Sequence, residues 1–271
     1  MGAFYAISYQ KIEKKSRPTV CYIGNCMLYS LYMDNRVEKL INTAKRRMKH
    51  SNDPAHDLDH VARVVKSVKD FTRDLDLTAE EKNAVVLAAW WHDVSRSITK
   101  KPSFVLMSFV DDTISALMLW YGSIRCGLFG NTVGLSTRIL FCKSIGTGAI
   151  LTKLLLRKKH RILMNILDDA DTLDMINGER IVRLLPLIEN SRTYRLGYKL
   201  AIAWCLKSRE LKLRTEQARK VLIEMFKKFM AWIKQKEIFD WHVNQFGEKW
   251  VRKALRNTNR FINNLTLKTC S

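Results

Sequence analysis

Four of the six histidines lie within the first 92 residues. His56 and His60 are four apart, so on a helix they share a face. His92 and Asp93 are neighbours at the end of an apolar run, Leu87-Ala88-Ala89-Trp90-Trp91. Consecutive helical residues diverge by ~100°, yet two such neighbours can converge on one ion in an adjoining cleft. Further on, Asp168, Asp169, Asp171 and Asp174 crowd the end of a stretch with Ile162, Leu163, Ile166 and Leu167 on its apolar side. Carboxylates so placed are costly unless a cation or several hydrogen bonds neutralise them. A mixed histidine and aspartate set suits a borderline or hard divalent ion, Mn, Fe, Co, Ni, Zn or Mg. Taken singly, each histidine is more simply a structural residue and Asp171 a helix cap. It is the joint pattern that points to a metal.

The elements that must carry these residues read as helices. Asp34 is placed as the N-cap of a helix with Val37, Leu40, Ile41 and Ala44 on one face. A second begins near Asp57 and turns Val61, Val64, Val65 and Val68 inward. Thr78 and Glu81 form a capping box that opens a third, running to His92. A fourth is expected from Pro102-Ser103, with Phe104, Met107, Val110, Ile114 and Leu117 as its inner face. The glycines of 122–134 predict a loop. Helices are expected again at 135–143 and 148–157, then through Asp171. Residues 195–268 read as three or four more, the longest at about 214–235. No run reads as a strand, and 4 prolines with 11 glycines in 271 residues suit long helices. The fold class expected is all-α.

The formal charge is +21, unevenly spread. Residues 1–32 carry +3, 33–190 carry +5 and 191–271 carry +13. A basic chain attracts polyanions, and the last segment is where nucleic acid would bind. The cysteines at 21, 26, 126, 142, 205 and 270 form no close pair, which suits reduced thiols and a cytoplasmic location. The longest uncharged run, Pro18 to Met33, is 16 residues. That is shorter than the ~20 a membrane span needs. Residues 1–32 read as an unstructured leader.

Three phrases carry a resemblance: Asp59-His60-Val61-Ala62-Arg63-Val64, Ala88-Ala89-Trp90-Trp91-His92-Asp93 and Asp169-Ala170-Asp171-Thr172-Leu173-Asp174. Together they resemble the HD-domain metal-dependent phosphohydrolase superfamily over roughly residues 36–185. The resemblance implies an all-helical HD domain over 33–190, with 191–271 as a basic helical extension packing on it or completing it. It implies one divalent metal held by His60, His92, Asp93 and Asp171. No histidine occurs in 94–159, which argues against a second metal. The region 103–156 is unusually apolar and has no clear counterpart in the family.

The expected reaction is hydrolysis of a phosphate ester, of a nucleotide or another small phosphorylated molecule, by metal-activated water. Asp93 would be a ligand that also orients or deprotonates the water. Arg63, one turn after His60, would steady charge on the phosphoryl oxygens. Lys66 and Arg96 are further candidates for substrate binding, and His56 for lining the pocket. Asp169 is expected to hold a ligand histidine in its tautomer. His160 shares a face with Asp171 but lies about 16 Å along the helix, too far for the same ion. The alternative is a non-catalytic nucleic-acid-binding protein of the same fold that uses the basic C-terminal helices.

Overall fold

Apolar side chains at helical spacing dictate the architecture, and the computed structural model follows them closely. It describes residues 35–51, 53–98, 107–143, 148–207 and 213–269. The leader 1–32, the cap at Asp34 and the start at Pro102-Phe104 lie outside the described residues. Within them the chain forms twelve α-helices and two short 3-10 turns, and no strand.

Helix α1 (Asn35–Met48) buries Val37, Leu40, Ile41, Ala44 and Met48. Helix α2 (Leu58–Thr72) starts at Asp57, whose carboxylate accepts from the backbone N–H of His60. It buries Val61, Val64, Val65 and Val68, leaving His60 on the same inner side. Helix α3 (Ala79–Trp91) opens with the capping box of Thr78 and Glu81. From Ala84 to Trp91 it is apolar all round and, Trp90 apart, buried, so this part forms the centre of the bundle. His92 is its C-cap, and a 3-10 turn (Val94–Ile98) follows.

Helices α4 (Met107–Arg125) and α5 (Asn131–Lys143) form a hairpin, and α6 (Gly148–Leu155) packs on α5. The predicted loop over 122–134 shrinks to 126–130, because α4 continues to Arg125. The predicted inner face of α4 is also corrected: Val110 and Leu117 are exposed. The buried side instead carries Asp111, Asp112, Ser115, Ala116, Leu119 and Ser123. Buried partners for its polar groups decide the rotation, as the site shows.

Helix α7 (Arg161–Asp174) packs against α2, α3 and α5. Helices α8 (Gly178–Asn190), α9 (Arg192–Lys207), α10 (Glu216–Ile233), α11 (Lys236–Phe246) and α12 (Glu248–Thr269) complete the bundle. The longest is α12, not the segment around 214–235. Residues 35–271 group as one unit. Trp232, Trp241 and Trp250 pack with Phe246 and the buried His242, whose Nε2 meets the Tyr198 hydroxyl at 2.8 Å. Among the described residues, no helix is long and apolar enough to cross a membrane.

Candidate metal centre

Three segments bring the predicted ligands together: His60 from the first turn of α2, His92 and Asp93 from the end of α3, and Asp171 from the last turn of α7. His60, His92 and Asp93 are buried, and one ligand atom from each lies within 4.8 Å of the others. The two imidazole Nε2 atoms are 3.3 Å apart. Asp93 Oδ2 stands 3.1 Å from His60 Nε2 and 3.2 Å from His92 Nε2. Asp171 Oδ1 is 3.4 Å from the first ring and 3.9 Å from the second.

Hydrogen bonds on the far side of each ring fix the tautomers. His60 Nδ1 donates to Asp174 Oδ2 at 2.7 Å, and His92 Nδ1 donates to the carbonyl of Ala89 at 2.8 Å. With its single proton used there, each neutral ring turns a lone pair inward. Two lone pairs and the Asp93 carboxylate then share one buried point, with the partly exposed Asp171 carboxylate beside the two rings. Asp93 Oδ2 is buried and makes no hydrogen bond. Such a set is unstable alone and fits a divalent cation well. Without one, a proton takes its place. Burial and Arg180 push the His60 pKa down, but Asp171, Asp174 and Asp93 outweigh them and raise it from 6.5 to about 10. Despite burial, the surrounding imidazoles hold the Asp93 carboxyl well below its usual range.

The supporting shell differs from expectation in a specific way. Asp169, expected to orient a histidine, faces away from the site. Its carboxylate accepts from the backbone N–H groups of Arg214 and Thr215, at 3.0 and 2.7 Å, and from the Thr215 hydroxyl at 2.6 Å. It therefore anchors the start of α10. Asp174 orients His60 instead, one turn beyond Asp171. Arg63 donates to both oxygens of Asp174, Nε at 2.7 Å and Nη2 at 3.0 Å. Its guanidinium thus holds the residue that holds His60.

Lys66 pairs with Asp70 at 2.9 Å, and its side chain is 80% exposed. With Arg63, Asp59, Ala62 and Glu179 it lines an open groove of about 320 Å³. Arg96 is buried and pairs with Asp111, with Asp53 at 3.6 Å. His56 donates from Nδ1 to Asp53 at 2.9 Å and sets its ring edge-on to His60, 5.7 Å between centroids. Of the expected substrate-binding residues, His56 lies nearest the ligand set. His160 faces Glu81 at 3.2 Å, outside the site.

Two participants went unseen in the sequence. Lys143, at the end of α5, places Nζ 2.8 Å from Asp171 Oδ2 and 3.4 Å from Asp112 Oδ1. Burial alone would discharge this ammonium, yet Asp112 and Asp171 keep its pKa well above the ordinary value. Arg180 stands 3.7 Å from Asp174 Oδ2. The adjacent pair Asp111-Asp112 inside an apolar run was the available signal for α4, since two acids there require buried partners. Comparison with family models, curated proteins and solved structures finds no match to this chain. The reading of the site therefore stands on its residues and geometry.

Proposed function

We propose that the chain is an HD-type metal-dependent phosphohydrolase acting on a nucleotide or another small phosphorylated molecule. The observation that carries this reading is the pair of inward Nε2 lone pairs, met by Asp93 and Asp171 and fixed by far-side hydrogen bonds. His60, His92, Asp93 and Asp171 are the residues that would hold the ion. When bound, a divalent ion lowers the pKa of water and draws phosphate oxygens. Asp93 Oδ2 lies among the ligand atoms, where as a ligand it would also orient the bound water. Asp174 and Arg63 keep His60 in the tautomer that a metal ligand requires. Lys143 supplies a buried positive charge beside Asp171.

The experiment is elemental analysis of purified protein beside an Asp93→Ala variant, followed by a panel of phosphate esters. About one transition-metal ion per chain, lost in the variant together with hydrolysis, supports the proposal. Absence of metal after reconstitution with Mn or Ni, together with absence of hydrolysis, overturns it.

One observation favours the nucleic-acid reading. Lys249, Arg252, Lys253, Arg256 and Arg260 all lie exposed along α12, and only Arg252 has an acidic partner on that helix, Glu248. Salt-sensitive binding to nucleic acid that survives loss of His92 and Asp93 would select this reading over hydrolysis.

A further inference from the structure

The region 103–156, which the resemblance leaves without a counterpart, contains a helix turned outward. On α4, Val110, Leu117, Trp120, Tyr121 and Ile124 are all exposed, Trp120 at 56% and Tyr121 at 59%. Their spacing runs one stripe along the outer side of the helix, about 21 Å from Val110 to Ile124. The stripe continues into the turn. Leu128 N–H donates to the Ser123 carbonyl and Gly127 N–H to that of Ile124, with Gly127 at φ +61°. This helix stop tucks Leu128 into the core and projects Phe129, which is 75% exposed. An apolar aromatic end of this kind on the surface marks an interaction site.

Charge around the stripe says what covers it. From Thr113 to Thr137, through the rest of α4, the turn and the first half of α5, the sequence has no Asp or Glu, and Arg125 is its one Lys or Arg. The two acids of α4, Asp111 and Asp112, are turned into the bundle, paired with Arg96 and Lys143. Arg125 lies over the Tyr121 ring at 5.9 Å. Arg36 of α1 donates to the Gly127 carbonyl at 2.9 Å, fixing a basic helix beside the turn. Helix α1 exposes Arg36, Lys39, Arg46 and Arg47 against a single acid, Glu38. A second copy docked on this face would bring no acid of α4 to it, since Asp111 and Asp112 are turned inward. Nucleic acid would leave the apolar side chains unsatisfied.

We propose that the outer face of α4 and the turn at Phe129 bind the surface of an anionic lipid bilayer. Trp120, Tyr121, Ile124 and Phe129 enter the interfacial layer, and Arg36 and Arg125 meet the headgroups. Trp and Tyr suit this depth because each joins an apolar ring to a polar atom. The chain lies on the membrane through this face and does not cross it. The inference does not depend on the hydrolytic reading.

The test is vesicle flotation of the full chain, using phosphatidylcholine with and without one-third phosphatidylserine. The protein is expected to float with the anionic vesicles and to be released by high salt. Combined Trp120→Ser and Phe129→Ser substitution should lower partition about ten-fold or more. The thermal unfolding of that variant should match wild type, because both side chains are exposed. Arg256→Gln with Arg260→Gln on α12 should leave partition within about two-fold. The proposal is overturned if wild type ignores anionic vesicles, binds neutral ones equally, or keeps its partition in the Trp120/Phe129 variant. Sedimentation showing a dimer that this variant dissolves, with no vesicle binding, would assign the face to a second copy instead.

Discussion

His60 and His92 face each other Nε2 to Nε2 across 3.3 Å, each having given its one neutral-state proton to an acceptor behind it. Two lone pairs at that distance repel unless positive charge lies between them. Every other group at the point, Asp93 and Asp171, adds negative charge. The pairing makes this a site that could hold a cation before any chemistry is considered.

The first prediction concerns the residue behind His60. Asp174→Asn keeps the shape but weakens the hold on the Nδ1 proton. Metal affinity should fall about 10–100-fold, measured by calorimetric titration with Mn. The same titration on Lys66→Ala should be unchanged, because Lys66 is solvent-exposed and paired with Asp70.

Proton and metal compete for the same nitrogens, which sets the pH dependence. His60 in the metal-free protein has its pKa raised from 6.5 to about 10. The stabilisation from its protonated ring is therefore complete below pH 6.5 and is lost as pH rises through about 10. Metal-free protein should lose stability across that window, and metal-loaded protein should not. Metal binding at neutral pH should release protons, visible as a buffer-dependent binding enthalpy.

Lys143→Met tests the buried cation. Asp112 and Asp171 would be left without their shared partner, at a cost of about 3–5 kcal/mol in chemical denaturation. Saturating metal should return part of the loss, because Asp171 then regains a cation. Equal destabilisation with and without metal would place Asp171 outside the ligand set.

Asp169→Ala removes the acceptor for Arg214, Thr215 and the Thr215 hydroxyl. The loss should be about 2–4 kcal/mol. Hydrogen exchange at the first turn of α10 should accelerate, while the site geometry around His60 stays intact.

The candidate ligand cluster was legible in the sequence because each residue sits in a short phrase with its own helix. His60 follows its cap Asp57 by three positions, His92 ends an apolar run, and Asp171 closes another. Lys143 and Asp112 were not legible. They lie 28 and 59 residues before Asp171 on helices whose rotation no local phrase fixes. Helix α4 shows why: a stripe at three- and four-residue spacing names a face but not the side that faces inward. The apolar stripe is not the inner side here, because Asp112 pairs with Lys143 and Asp111 with Arg96. Asp169 and Asp174 were both visible, but only the fold distinguishes the one that orients His60 from the one that anchors α10.

That anchor has a consequence for how the protein can be divided. Asp169 is two residues from Asp171, and the three groups that donate to its carboxylate all belong to Arg214 and Thr215. A fragment ending near residue 190 would keep all four candidate ligands, yet it would expose an unanswered carboxylate on the helix that carries Asp171. The basic C-terminal region is thus no detachable appendage: evolution or engineering that exchanges it must also supply a new partner for Asp169.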